Sequence, residues 1–321
     1  MPPTLNHSFL VLGTANYGVT TDEATSFGLL DAYIEHGGHT IDTARCYSDW
    51  VPGESGRSEK LIGRWLKERK CRDQVLISTK GGHPPMDTPT RVRMSQAELT
   101  SDIEASRRAL GVDMIDLYWL HRDDLDQPVE ALLETLESFR DRGWLRHYGA
   151  SNFTAQRLEA ARAAAQKNNW SGFYASQPMG CLGSEYRKPL EYPLLEKLDP
   201  AGERFHQTNN VPVFPYTSQA TGYYEKVCRL GEDHPSLREH PFNTRACNQI
   251  AQQLKALSED SGHTVSSLTL AWWRTKIYPT HPVIGCRTLD QLIDSFQSEV
   301  VTKNVLEAIG AIAVHVEKEG M

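Results

Sequence analysis

Residues 114–151 read MIDLYWLHRDDLDQPVEALLETLESFRDRGWLRHYGAS, and the order of patterns within them decides the fold. Met114 to His121 is a short, mostly apolar run of strand length. Val129, Leu132, Leu133, Leu136 and Phe139 then fall at i, i+3, i+4, i+7 and i+10, which is one apolar stripe of a 3.6-residue period. Pro128 suits the first turn of that helix and Gly143 its exit. Arg146 to Ser151 then reads as a second strand.

The same alternation extends outward in both directions. Strand-sized runs occur at Phe9–Gly13, His39–Thr43 and Val75–Lys80 before this stretch, and at Phe173–Gln177, Val211–Tyr216 and Pro282–Gly285 after it, making eight candidate strands. Leu61, Ile62, Trp65 and Leu66 share one helical face, as do Leu99, Ile103, Ser106 and Leu110 ahead of a stop at Gly111. Strands apolar on both faces, separated by amphipathic helices, imply a parallel sheet covered by helices.

Eight such units suit a (β/α)8 TIM barrel, here a single domain over residues 1–321. A doubly wound open sheet competes, but Leu12-Gly13-Thr14-Ala15-Asn16-Tyr17-Gly18 does not fit the GxGxxG turn of a dinucleotide-binding unit. The rhythm breaks at 178–210 and 217–241. Both segments follow strands, so they are expected to leave the C-terminal face of the barrel as long loops that shape a substrate pocket.

Composition narrows the function. The chain is 39% apolar and 23% charged, as in ordinary globular proteins. Its formal net charge is −7 and its cations are scattered, which excludes a phosphate-backbone footprint and makes nucleic acid an unexpected partner. Apolar stretches such as Phe9–Gly13 fall far short of the roughly 20 residues that span a bilayer. Met1–Ser8 lacks the features of a secretory signal, so a cytoplasmic protein without a membrane partner is expected. The six cysteines are dispersed without CxxC or zinc-type spacing, which reads as reduced thiols and no metal.

Several strands end in a side chain that is costly to bury: Asp42, Lys80 and His121. Alone, Asp42 could cap a helix, Lys80 could be a solvated cation and His121 could be a bonded core histidine. In a barrel, however, the tops of adjacent strands converge, so the three become neighbours. A lysine beside a carboxylate favours each partner's charge, and the ammonium then favours ionisation of a nearby phenol, which Tyr47 can supply. Such a pair is suited to moving a proton to or from a carbonyl oxygen.

Asp42, Tyr47, Lys80 and His121, in the contexts IDTARCY, LISTKGG and LYWLHRDD, resemble the catalytic tetrad of the aldo-keto reductase superfamily. The resemblance runs nearly end to end through LGTANYG, GRSEKLIGRWLK, DIEASRRALGVDMIDLYWLH, GWLRHYGASNF, YASQP, VPVFPYTSQATGYYEK, LTLAWW and PVIGCRTLDQL. SDWVPGESGRSE and PYTSQATGYYEK are most similar to bacterial reductases of sugars and small carbonyl compounds.

The resemblance implies hydride transfer between NADP(H) and an aldehyde, ketone or alcohol, with NAD(H) as the alternative cofactor. It implies that Tyr47 donates the proton, Lys80 tunes it, Asp42 pairs with Lys80, and His121 orients the carbonyl. It assigns Ser151, Asn152 and Gln177 to the nicotinamide carboxamide, Tyr216 to stacking on the ring, and Gly13 and Thr14 to the loop beneath it. Gly285, Cys286 and Arg287, with Gln291 and Ser295 on the following helix, match the phosphate end of the cofactor, where free helix N–H groups favour an anion. Many relatives carry Arg at the Gln291 position and Asn at the Ser295 position, leaving Arg287 as the cation for the 2′-phosphate. Tyr17, Trp50, Tyr223 and Tyr224 are candidate substrate-wall aromatics on the active-site face. Two other functions compete: a non-catalytic nicotinamide-binding regulatory subunit, and a barrel aldolase using Lys80 as a Schiff base.

Overall fold

The structure is a computed structural model and describes residues 5–189 and 195–319. Its strands are β1 (Val11–Gly13), β2 (Thr40–Asp42), β3 (Leu76–Gly81), β4 (Ile115–Leu120), β5 (Leu145–Ser151), β6 (Ser176–Gln177) and β7 (Val283–Ile284). The helices of the first half are α1 (Glu23–Glu35), α2 (Arg57–Arg69), α3 (Gln96–Leu110), α4 (Val129–Asp141) and α5 (Ala155–Asn168). Those of the second half are α6 (Pro200–Asn209), α7 (Tyr223–Leu230), α8 (Arg245–Ser261), α9 (Val265–Ala271), α10 (Leu289–Phe296) and α11 (Lys303–Glu319).

The seven strands among the described residues run parallel in the order β6-β5-β4-β3-β2-β1-β7. Val11 of β1 and Leu117 and Trp119 of β4 belong to one buried cluster with Leu5, Ala175 and Phe214. In a flat sheet β1 and β4 would stand about 14 Å apart, three strand spacings, so a cluster shared between them requires a curled sheet. Gly149 of β5 leaves room for this interior, because a Cβ there would strike the Trp119 ring. The fold is consistent with a (β/α)8 barrel.

The expected strand at Val211–Tyr216 is not a regular strand. Val213 alone bridges both Ser176 of β6 and Thr280 ahead of β7. The reason is chemical: Pro212 and Pro215 have no N–H to donate, as is also true of Pro279 and Pro282 opposite. Their carbonyls still accept, from Ser176 N at 3.0 Å, Val283 N at 2.9 Å, Val213 N at 2.9 Å and Val11 N at 3.0 Å respectively.

The helices follow the local signals. Ser95 and Glu98 form a capping box at the start of α3, which ends on Gly111 at φ 67°. Pro128 is the N-cap of α4 rather than a residue of its first turn. The segments expected as long loops are partly helical. Asp199 caps α6 with Pro200 at its first position, inside 178–210, and α7 lies inside 217–241. Residues 190–194 of the first segment lie outside the described residues. No helix among the described residues is long and apolar enough to cross a membrane.

Candidate active site

Parallel strands bring their C-terminal ends to one rim, and side chains alternate in direction along each strand. Asp42 ends β2, Ser78 and Lys80 point the same way from β3, and Gln177 ends β6. Asp42 Oδ1 accepts from Ser78 Oγ at 2.7 Å and from Gln177 Nε2 at 3.1 Å. Its Oδ2 accepts from Lys80 Nζ at 2.5 Å, and both side chains are buried.

Lys80 Nζ also donates to the Thr43 carbonyl at 2.7 Å and to Tyr47 Oη at 2.8 Å. Three acceptors therefore surround Nζ, matching the three hydrogens of an ammonium. Burial lowers the lysine pKa from its usual range, against the pull of Asp42. Tyr47 differs from expectation: its pKa lies well above the ordinary value, through desolvation first and Asp42 second. Desolvation and the Asp42 carboxylate outweigh the bond from Lys80, so Tyr47 keeps its proton. Because Tyr47 Oη accepts from Lys80, that proton is left to point away from the lysine.

His121, directly after β4, is buried, with its ring 6.0 Å from that of Tyr47. Burial, Arg122, His83 and Lys80 all push its pKa well below the ordinary value, so the imidazole is neutral. Asn152 Nδ2 and Arg122 hold its backbone carbonyl at 3.1 and 2.8 Å. Arg157 of α5 clamps the following loop through Asp123 at 2.9 Å and the Asp124 and Gln127 carbonyls at 2.7 Å. The Tyr47 loop is fixed by Ser48, whose hydroxyl donates to the Ala15 and Tyr17 carbonyls at 3.1 and 3.0 Å. Ser48 (φ 72°) and Asn152 (φ 62°) are both left-handed non-glycine residues beside this site, where such strain tends to collect.

The residues matched to a nicotinamide cofactor divide into two groups. Ser151 donates to the Gln177 carbonyl at 2.8 Å, and Tyr216 Oη donates to Asn152 Oδ1 at 2.6 Å, so Ser151, Asn152, Gln177 and Tyr216 form one bonded patch beside Asp42. Gly285 and Arg287 are exposed, a Cβ at Gly285 would meet nothing within 4 Å, and Arg287 makes no ion pair among the described residues. An open backbone and a free guanidinium at the start of α10 fit an anionic group.

The other matched positions make contacts within the protein. A Cβ at Gly13 would lie 2.8 Å from Val283 Cγ1, so that glycine is required by the contact with β7. Thr14 is buried, with its hydroxyl donating to the Asp42 carbonyl at 3.0 Å beside Ser58. Gln291 Oε1 accepts from Arg287 N at 2.8 Å, while Cys286 and Ser295 are buried against each other. Among the aromatics, Trp50 is exposed on the Tyr47 loop. Tyr17 is buried in the apolar cluster beneath α1 and α2, and Tyr223 and Tyr224 are buried against α8. Tyr223 Oη donates to Asn243 Oδ1 at 3.0 Å and to Asn248. These three tyrosines present no surface to a substrate, because helix formation at α7 and the packing of the β1 loop turn them inward.

Sequence reading missed Ser78, which fixes Asp42, and its position two residues before Lys80 on the same strand face was the available signal. It also missed Cys46 and His83. Cys46 Sγ lies 3.7 Å from His121 Nδ1, and the His83 and His121 rings are 4.7 Å apart. Burial pushes the Cys46 thiol up to about 12 and His83 down to about 4.

A sequence profile described as the Aldo/keto reductase family matches residues 9–313. The uncharacterized oxidoreductase YrpG of Bacillus subtilis strain 168 is 28% identical over 316 residues, covering 96% of this chain and 93% of its own length. The aldo-keto reductase YhdN of the same organism is 34% identical over 158 residues, 48% of this chain and 46% of its own length. A probable voltage-gated potassium channel subunit beta of Arabidopsis thaliana is 23% identical over 293 residues, 88% of this chain and 84% of its own length.

Proposed function

Because this chain belongs to the aldo/keto reductase family, we propose that it is an NADPH-dependent reductase of an aldehyde or ketone, sugars included, or catalyses the reverse oxidation, with Tyr47 as the general acid. The observation that carries this reading is the 2.8 Å hydrogen bond from Lys80 Nζ to Tyr47 Oη. With its lone pair occupied by the lysine, the phenol has its own hydrogen to give. The chain works as one barrel domain in the cytoplasm.

When bound, the nicotinamide supplies the hydride. As negative charge develops on the carbonyl oxygen, Tyr47 donates its proton and Lys80 stabilises the resulting phenolate. Neutral His121 donates a second hydrogen bond to that oxygen and orients it. In the reverse direction the same pair removes the proton from an alcohol. Ser151, Asn152 and Gln177 hold the nicotinamide amide, Tyr216 supports its ring, and Arg287 takes the 2′-phosphate. Arg287→Ala should weaken NADPH binding by about tenfold or more and leave NADH nearly unchanged, measured by fluorescence titration. Equal loss for both would remove Arg287 from that role.

A second reading, a nicotinamide-binding regulatory subunit, is favoured by the likeness to the potassium channel subunit. A Schiff-base aldolase fits less well. Burial does depress Lys80, as an amine nucleophile needs, but three acceptors surround its nitrogen. The test is a panel of aldehydes, ketones and sugars with NADPH and NADH, followed by nicotinamide absorbance. Cofactor binding with no single-turnover oxidation by any carbonyl would favour the regulatory reading, and borohydride trapping of a carbonyl compound on Lys80 would favour the aldolase.

A further inference from the structure

No pair of cysteines or histidines in the sequence has metal-ligand spacing, because the donors in question come from the ends of three different strands. Cys46 follows β2, His83 follows β3 and His121 follows β4. Each offers one donor atom, and these three atoms all lie within 4.8 Å of one another. Around a tetrahedral zinc ion with bonds of about 2.0–2.3 Å, neighbouring donors stand roughly 3.3–3.8 Å apart. The Cys46 Sγ to His121 Nδ1 distance of 3.7 Å already falls in that range. The remaining distances need to close by about 1.5 Å at most, within reach of side-chain rotation.

His83 is also oriented as a ligand. Its Nδ1 bonds the Pro84 carbonyl at 2.6 Å, which places the hydrogen on Nδ1 and the lone pair on Nε2. A backbone carbonyl that fixes the tautomer in this way is the usual outer partner of a metal-bound histidine. Arg122 donates to the same Nε2 at 3.3 Å and must swing aside on binding.

We propose that Cys46, His83 and His121 form a site for a soft or borderline divalent cation of the Zn2+ class, with water in the remaining position. One thiol and two imidazoles suit zinc or cobalt and disfavour magnesium and calcium, which seek oxygen ligands. Arg122 and Lys80 repel any cation here, so the ion must be one that bonds covalently to sulfur. On binding, the Cys46 S–H proton passes to solvent and the thiolate electron pair forms the metal–sulfur bond. The ion on Nδ1 and its bound water crowd the space beside the His121 ring that a carbonyl must enter. Occupancy therefore blocks turnover reversibly, and this consequence rests on the reductase reading, whereas the binding itself does not.

The test uses the full-length, reduced protein with Co2+ as a coloured stand-in. The expected result is one Co2+ per chain with a near-ultraviolet thiolate-to-cobalt charge-transfer band that Zn2+ bleaches. Cys46→Ser should abolish the band, and His83→Ala or His83→Gln should weaken binding by about 100-fold or more. Cys228→Ser on α7 should change neither, and circular dichroism melts check that each variant is folded. Absence of the band, or its survival in folded Cys46→Ser, would overturn the site. Turnover of 4-nitrobenzaldehyde should fall as Zn2+ fills the site and return with a chelator. A full band with undiminished turnover would overturn the inhibitory role. Absence of turnover in the metal-free protein would count against the reductase reading alone.

Discussion

Ser78 and Lys80 point from β3 into the barrel and Thr79 points outward to α2, so one strand carries a buried polar cluster on each face. On the inner face both oxygens of Asp42 are bonded, to Ser78, Gln177 and Lys80, and all three hydrogens of Lys80 have acceptors. On the outer face Thr79 donates to Glu59 Oε1 at 2.6 Å and Ser106 stands beside the same carboxyl, but the Tyr118 hydroxyl is buried without a hydrogen-bond partner among the described residues. Burial pushes the Glu59 carboxyl up to about 7, so that it is largely protonated in mildly acidic solution. Both clusters are equally hidden from water. Saturation of every donor distinguishes them, and it fixes where the Tyr47 proton can go.

The largest effect should come from breaking the saturated side. Lys80→Met leaves the Asp42 carboxylate buried without its cation, at a cost of about 3–5 kcal/mol in chemical denaturation. Near wild-type stability would show that the inner cluster is not held by that pair.

Next comes the pH response of the outer side. In the unfolded chain Glu59 ionises near 4.5, whereas the folded protein keeps that proton until about pH 7. Folding therefore takes up a proton in this window. The Glu59 contribution is greatest below pH 4.5, is lost as pH rises through 7, and amounts to something on the order of 3 kcal/mol. His206 and His83, each depressed to about 4 by burial, act with the opposite sign, being lost as pH falls below 6.5. The difference between wild type and Glu59→Gln isolates the carboxyl: the variant should gain on wild type from pH 4.5 to 7 and hold a constant difference from it above. Parallel stability curves would place the Glu59 pKa near its ordinary value.

The smallest effect sharpens the contrast between the two phenols. Tyr118→Phe removes a hydroxyl with no partner among the described residues, so stability should stay constant or rise by up to about 1 kcal/mol, with turnover unchanged. A clear loss of stability would mean that the hydroxyl is bonded.

Much of this was legible in the sequence, for identifiable reasons. Strands buried on both faces leave continuous apolar runs, and Asp42, Lys80 and His121 stood out as polar ends of such runs. The 211–216 segment reads as a strand by hydrophobicity, yet Pro212 and Pro215 limit its pairing to Val213. Both α6 and α7 hid in segments read as loops, although Asp199-Pro200 is a helix start and Tyr223, Tyr224 and Val227 share a helical face. Missing α7 is what sent Tyr223 to the wrong surface. Glu59 was passed over in the sequence, although it shares a face with Ile62 and Leu66. The Cys46, His83 and His121 cluster had no linear signal at all, because only the curl of the sheet assembles it.

The most direct test of the proton assignment is single-turnover oxidation of bound NADPH by 4-nitrobenzaldehyde in Tyr47→Phe, with NADPH affinity measured on the same sample. The expected result is a rate lower by about 10²–10⁴-fold with cofactor affinity retained. An unchanged rate would contradict Tyr47 as the acid.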